Sequence, residues 1–129
     1  MGLVSSETTK LRIWARWGAI LWTLLIFILC LWPGEELPRV QVPLADKWAH
    51  FIVFGVFALL WLGSFHPPKR KHYFSIILIA AFAGWLIEWL QGAFPTLNRS
   101  EDQLDTLADA IGGILGALIY WLVSLMKRG

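Results

Sequence analysis

Eight polar residues of this chain belong to types that bind ligands or transfer protons, and they fall into three short segments. Carboxylates one helical turn apart, with a histidine nearby, could ligate a divalent cation or supply a general acid and a general base. The candidate binding residues are Asp46, Lys47, His50, Glu88, Gln91, Arg99, Asp105 and Asp109. Their spacing matches no recognised metal-ligand motif. A bound metal and a catalytic role therefore both stay open.

The first segment begins an apolar run. Asp46 and His50 are four residues apart and share a helical face, while Lys47 lies to one side. A structural alternative is that Asp46 caps the helix, Lys47 reaches to lipid headgroups and His50 lies at the membrane interface.

The second segment places a carboxyl within an apolar run. Glu88 and Gln91 are three residues apart, on a face that also carries Ala81 and Gly84. Small residues at these positions indicate close packing against another helix, so Glu88 is expected to point into a bundle. Its structural alternative is an interhelical hydrogen bond.

The third segment leads into the last apolar run. Asp105 and Asp109 precede Gly112-x-x-x-Gly116 on one stripe, and this pattern is typical of helices that pack closely in membranes. We therefore expect both aspartates to face other helices. Arg99 is the fixed cation nearby, and it could pair with these acids or bind a phosphate or carboxylate.

Composition predicts a membrane protein. Of 129 residues, 57% are hydrophobic and 16% are charged, and nine are Trp; the mean hydropathy is +0.61. Intrinsic disorder is excluded, because a disordered chain needs low hydrophobicity. The lone cysteine, Cys30, has no partner for an intramolecular disulfide. We expect one integral membrane domain over residues 1–129.

Four apolar runs are each long enough to cross about 30 Å of hydrocarbon. They cover residues 13–32, 48–65, 73–94 and 107–126. The sequence thus predicts an all-α, four-helix transmembrane bundle. Basic residues precede the first run as in a signal peptide, but no cleavage site of small residues follows it, so we expect it to be retained.

The distribution of Lys and Arg predicts that both termini are cytoplasmic. Eight of the eleven basic residues fall on the side of the termini, and three fall on the other. The eight are Lys10, Arg12, Arg16, Lys69, Arg70, Lys71, Lys127 and Arg128. Since this distribution explains the basic residues, no nucleic-acid partner is expected.

Three motifs resemble the VanZ-like family of small bacterial membrane proteins. The family pattern is D-K-x-x-H-F, then E-x-x-Q, then an Arg followed by acidic and small residues that end in G-x-x-x-G. It is matched here by Asp46-Lys47-Trp48-Ala49-His50-Phe51, by Glu88-Trp89-Leu90-Gln91, and by Arg99, Asp105, Ala108, Asp109, Gly112 and Gly116. One position departs from it, since Asp109 stands where many members have Asn.

The resemblance implies a multi-pass protein of the bacterial cytoplasmic membrane. The family takes its name from a protein associated with low-level resistance to the glycopeptide teicoplanin, which implies a role in the cell envelope. It implies no particular reaction, and no cofactor is expected. Membrane lipids are the expected partners, with a cell-wall precursor or a glycopeptide as further candidates; a homodimer stays open.

The sequence supports two alternative hypotheses for the function of the chain. In the preferred one, the candidate residues form an outward-facing polar site that engages an envelope lipid, a wall precursor or an antibiotic. In the alternative, they only hold the helices together in a non-catalytic assembly or interaction protein. A proton-coupled carrier is disfavoured, because the inner halves of the runs contain no charge besides Arg16 near one end.

Overall fold

A computed structural model of the chain describes residues 2–31, 45–94 and 103–128, apart from the side chains of residues 2–5, 45, 46, 103 and 128. These residues form four helices: α1 (Gly2–Cys30), α2 (Ala45–Ser64), α3 (Arg70–Ala93) and α4 (Gln103–Arg128). Each contains a stretch long and apolar enough to cross a membrane. The predicted all-α fold with four membrane helices is therefore confirmed.

The helices extend beyond the apolar runs that predicted them. The largest difference is in α1, which begins at Gly2 rather than near residue 13. Its first turns are polar, and the exposed side chains of Glu7 and Lys10 lie 3.9 Å apart. Hydropathy marks the part of a helix that meets lipid, whereas an established helix continues into water for as long as each added residue gains a hydrogen bond.

Helix α2 lies at the centre of the bundle. It packs most extensively against α4, and it also contacts α1 and α3, while α3 packs mainly against α4. The core between the helices is made of ten apolar residues: Ile26, Phe54, Phe57, Ala58, Leu62, Ile76, Ala80, Ala83, Ile87 and Ala117. Most other large apolar side chains are exposed, as expected for helices that face lipid.

Glycines bring α4 close to α2. A Cβ atom at Gly112 would lie 2.7 Å from the carbonyl oxygen of Phe51, and one at Gly116 would lie 2.9 Å from Cβ of Ala58 and closer still to the backbone of Gly55. Since backbone atoms cannot yield as a flexible side chain does, only glycine fits at these positions. The predicted packing stripe of α4 thus contacts α2.

Helix α1 is held to α2 by hydrogen bonds that involve two indoles. The Nε1–H of Trp22 donates to the carbonyl oxygen of Val53 at 2.9 Å, and the Nε1–H of Trp61 donates to Oγ1 of Thr23 at 3.0 Å. Hydrogen bonds of this kind supplement packing where no hydrophobic driving force acts between helices.

We expect Gly116→Ala to lower the free energy of unfolding by about 1–3 kcal/mol, because the added methyl group overpacks the α2–α4 contact. Gly18→Ala is the matched control, since its Cβ would meet only Cδ2 of Leu60 at 3.4 Å. Thermal unfolding of the two variants in detergent measures the difference. Equal stability of the two variants would contradict the close α2–α4 packing.

Candidate functional site

Ionisable residues from three helices lie close together at one end of the bundle. Lys47 and His50 lie in the first turns of α2, Asp105 and Asp109 in the first turns of α4, and Glu88 near the end of α3. We call these five residues the polar cluster. Because α2 and α4 begin at the end where α3 stops, their side chains reach the same level of the bundle.

Two cross-helix pairs join α2 to α4. Lys47 Nζ forms an ion pair with Asp105 Oδ1, and His50 Nδ1 forms a hydrogen bond with Asp109 Oδ1. The other ring nitrogen, His50 Nε2, lies 3.7 Å from Asp105 Oδ2. When Asp109 is ionised its oxygens can only accept, and the Nδ1–H of His50 then donates to Oδ1. The ring is thereby held with Nε2 facing Asp105.

Glu88 brings α3 into the polar cluster. Its side chain is buried, with 1% of the residue exposed. One oxygen of Glu88, one of Asp105 and one ring nitrogen of His50 all lie within 4.8 Å of one another. Two carboxylates and an imidazole are ligand types that divalent cations accept. Asp109 would then orient the imidazole from behind, as carboxylates do for metal-bound histidines.

The pairing of Lys47 limits what this group can hold. An ammonium already neutralises one oxygen of Asp105, so a cation bound by His50, Glu88 and Asp105 would have to share that carboxylate with Lys47 or displace its side chain. The geometry allows a divalent cation and equally allows a fully protein-paired cluster.

Asp109 is the most deeply buried member of the polar cluster, with no exposed surface. It fits against α3 because residue 84 is glycine: a Cβ there would lie 2.8 Å from Cβ of Asp109. Its second oxygen, Oδ2, accepts no hydrogen bond from the described part of the chain. A buried acceptor without a donor costs about 1–3 kcal/mol, so the tight fit of Asp109 against Gly84 carries a free-energy cost.

Three of the eight candidate residues do not belong to the polar cluster. One makes its contact elsewhere, and two have side chains outside the described residues. Gln91 Nε2 donates to the carbonyl oxygen of Cys30 at 2.6 Å, so its amide ties α3 to the end of α1. Asp46 lies in the first turn of α2, but its side chain is outside the described residues, and so is the whole of Arg99.

The structural alternative for Lys47 is wrong. Its side chain does not extend to headgroups but contacts Asp105 across the α2–α4 interface, with 17% of its surface exposed. Helical spacing alone could not show this, because the choice between the lipid and a neighbouring helix depends on how α2 and α4 are rotated. The roles of the eight candidates in binding stay predictions.

Sequence reasoning missed a second polar region, at the opposite end of the bundle. There, Arg16 Nη2 donates to the carbonyl oxygen of Ser64 at 3.0 Å, and His66 Nδ1 pairs with the hydroxyl of Tyr120. Arg12 and Arg16, four residues apart, were a usable signal of a shared face. The basic residues had been assigned to membrane orientation alone.

Comparison with protein families confirms the resemblance. The family model described as VanZ/LLP1 matches residues 4–124 of this chain, which include the whole polar cluster. No curated protein and no solved structure matches the chain.

A double-mutant cycle tests the pairing within the polar cluster. We expect His50→Leu and Asp109→Leu each to destabilise the chain, and the double variant to be less unstable than the sum, with a coupling of about 0.5–3 kcal/mol. The control cycle combines His50→Leu with Ser124→Ala, because Ser124 Oγ bonds only within α4, to the carbonyl oxygen of Trp121 at 2.7 Å. Thermal unfolding gives each free energy. Additive effects in the His50–Asp109 cycle would show that the pair contributes no coupling.

Proposed function

The chain belongs to the VanZ/LLP1 family, and from this premise we propose that it acts in a bacterial cell envelope by binding a polar ligand at the polar cluster. The ligand is an amphiphile that reaches the membrane surface: an envelope lipid, a cell-wall precursor or a glycopeptide such as teicoplanin. The chain itself is a multi-pass membrane protein, since its four helices can each cross a membrane.

The observation that supports binding best is a gradient of burial across the polar cluster. The side chains of Lys47, His50 and Asp105 keep 15–18% of their surface exposed, whereas Glu88 and Asp109 are buried. Partial exposure spares these three groups part of the desolvation cost of a buried charged network, and it also leaves their polar atoms accessible to a ligand. Here three charged or polar groups can still be reached from outside the bundle.

The exposed members offer complementary chemistry to one ligand. Lys47 can meet a phosphate or a carboxylate, Asp105 can accept from hydroxyl or amine donors, and the His50 ring can donate or accept. The buried members hold these groups in place, because Asp109 fixes the imidazole and Glu88 lies against it. Such support from behind is what makes a site rigid enough to select a ligand.

We place the polar cluster at the outer face and both termini in the cytoplasm. The support is the excess of Lys and Arg at the opposite end, eight against three, which the positive-inside rule assigns to the cytoplasm. An outward-facing cluster would meet lipids of the outer leaflet and molecules of the cell wall.

Cysteine labelling of cells tests this orientation in a Cys30→Ala background. Phe94→Cys places an exposed thiol at the end of α3 beside the polar cluster, and Lys127→Cys places one near the end of α4. A membrane-impermeant maleimide should label Phe94→Cys in intact cells and Lys127→Cys only after permeabilisation. The reverse pattern would put the polar cluster on the cytoplasmic side and remove the outward-facing site.

Variants of the polar cluster separate ligand binding from helix assembly. In a teicoplanin-sensitive bacterium, the wild-type chain is expected to raise the inhibitory concentration of teicoplanin. Glu88→Gln and His50→Ala are expected to lower that effect by much more than they lower membrane abundance. Glu7→Gln is the matched control, because this acid is exposed and lies on α1 away from the cluster.

The assembly alternative predicts another result. Hydrogen bonds between membrane helices average about 0.6 kcal/mol, so each substitution would then lower abundance modestly, and resistance would fall only in proportion to it. Quantitative immunoblots measure the membrane abundance of each variant. Comparing abundance with the inhibitory concentration distinguishes the binding hypothesis from the assembly hypothesis. Full resistance in both variants would remove the proposed binding site.

A further inference from the structure

A cavity of about 470 Å³ lies at the opposite end of the bundle, among α1, the end of α2 and the turn that precedes α3. Its lining includes five basic or imidazole side chains: Arg12, Arg16, His66, Lys69 and His72. We call it the basic cavity. No Asp or Glu lines it, and Glu7, the acid on the described part of α1, lies beside Lys10 instead. The three fixed cations in this lining, Arg12, Arg16 and Lys69, favour an anionic ligand.

Neighbouring groups hold two of these side chains in place. Arg16 donates from Nη2 to the carbonyl oxygen of Ser64 at 3.0 Å, and its guanidinium carbon lies 5.3 Å from the centre of the Phe65 ring. A guanidinium has five N–H donors, so one bond to Ser64 leaves others for a ligand. Ordering it in advance reduces the entropy that anion binding must overcome.

His72 is fixed from the other side of the basic cavity. The backbone N–H of Lys69 donates to His72 Nδ1 at 2.9 Å, so that nitrogen accepts and the ring hydrogen sits on Nε2. The His72 ring stacks on Phe65, with centroids 4.4 Å apart and planes 6° apart. The Phe65 ring thus supports both the guanidinium of Arg16 and the imidazole of His72.

A second cavity of about 340 Å³ adjoins the first, since Phe65 and His72 line both. Apart from Thr23 and Ser75, its remaining lining is apolar and runs along α2 and α3: Phe57, Trp61, Ile76 and Ile79. From Phe65 to Phe57 the groove extends about 12 Å along α2 at the rise of an α-helix. The groove thus begins at the stacked Phe65 and His72 rings, which border the basic cavity, and extends along the apolar middle of the bundle.

We propose that these joined cavities bind one anionic phospholipid. Its phosphate contacts Arg12, Arg16 and Lys69, and one acyl chain lies in the groove beside Trp61 and Ile76. Guanidinium groups recognise phosphate oxygens with paired hydrogen bonds, and basic pockets between membrane helices are known to take anionic headgroups. The groove separates this site from a general attraction of basic residues to the membrane surface, because it accommodates the chain of the same molecule.

The packing of the helices leaves space for such a lipid between α1 and α3. Helix α1 packs against α2 but makes no extensive contact with α3 in the described residues. The joined cavities lie in that space, with Thr23 on α1, Trp61 on α2 and Ile79 on α3 lining one groove. A bound lipid therefore fills the gap between α1 and α3. This site is independent of the polar cluster.

Native mass spectrometry of the full chain, purified in detergent and stripped of lipid, tests the proposal. Phosphatidylglycerol should bind one molecule per chain and more tightly than phosphatidylcholine, and inorganic phosphate should compete only weakly because it lacks an acyl chain. Equal retention of the two lipids would overturn the selection for an anionic headgroup, and this comparison needs no variant.

Matched variants test the two halves of the site. The double variant Arg12→Gln with Lys69→Gln should weaken phosphatidylglycerol roughly thirtyfold, since each basic residue near an anionic lipid contributes about fivefold. Arg70→Gln with Lys71→Gln removes the same charge at the same end but outside the cavity lining, and should weaken it clearly less. Equal losses would mean that surface charge alone attracts the lipid, which overturns the site.

The groove has its own pair of variants. Ser75→Phe fills it, while Leu78→Phe adds the same ring on a lipid-exposed face of α3. Ser75→Phe should weaken binding of phosphatidylglycerol and leave the affinity for inorganic phosphate unchanged; Leu78→Phe should change neither. If Ser75→Phe has no effect on lipid binding, the basic cavity binds a phosphate group alone and the lipid assignment fails. Thermal unfolding of each variant verifies that it is folded.

Discussion

Ionisable side chains between membrane helices must find partners, and this requirement organises one end of the bundle. A charge left alone at the centre of a bilayer costs about 2.5–3.5 kcal/mol on insertion scales. Here Lys47 meets Asp105 and His50 meets Asp109, each across the interface of α2 and α4. The Lys47–Asp105 pair lies in the first turn of both helices and the His50–Asp109 pair one turn further in, so together they fix the rotation of α2 against α4 as well as satisfying the charges.

The same pairs require a close approach of backbones, which the small residues provide. Gly112 and Gly116 allow α4 to touch the backbone of α2, and Gly84 allows α3 to touch Asp109. A larger residue at any of these positions would move apart the helices whose side chains must meet. The glycine stripe and the polar cluster therefore act together. Glycine packing sets the distance between α2 and α4, and the side-chain pairs set how the two helices are aligned.

Much of the fold could be predicted from sequence, because the length of an apolar run and the position of a polar residue within it are local properties. Glu88 could be placed inside the bundle in this way, and Asp105 and Asp109 on the packing face of α4. The side-chain partner of each polar residue could not be predicted in this way, because it depends on how the helices are rotated against one another. The sequence assigns Lys47 either to a ligand site or to lipid headgroups, whereas its side chain pairs with Asp105. Spacing groups Gln91 with Glu88, but its amide bonds to α1. The polar start of α1 was missed because hydropathy does not mark a helix end in water.

The two ends of the bundle satisfy their charges in different ways, and this contrast bears on what each can bind. In the polar cluster, acids and bases from separate helices already pair with one another, so a ligand must compete with existing pairs. In the basic cavity, Arg12, Arg16 and Lys69 line a common space with no acid among the lining residues. There an anion would complete the charge balance rather than disrupt it. A cluster of paired charges of both signs suits selective binding of a multifunctional polar molecule, whereas a lining of basic groups suits a single strong anion.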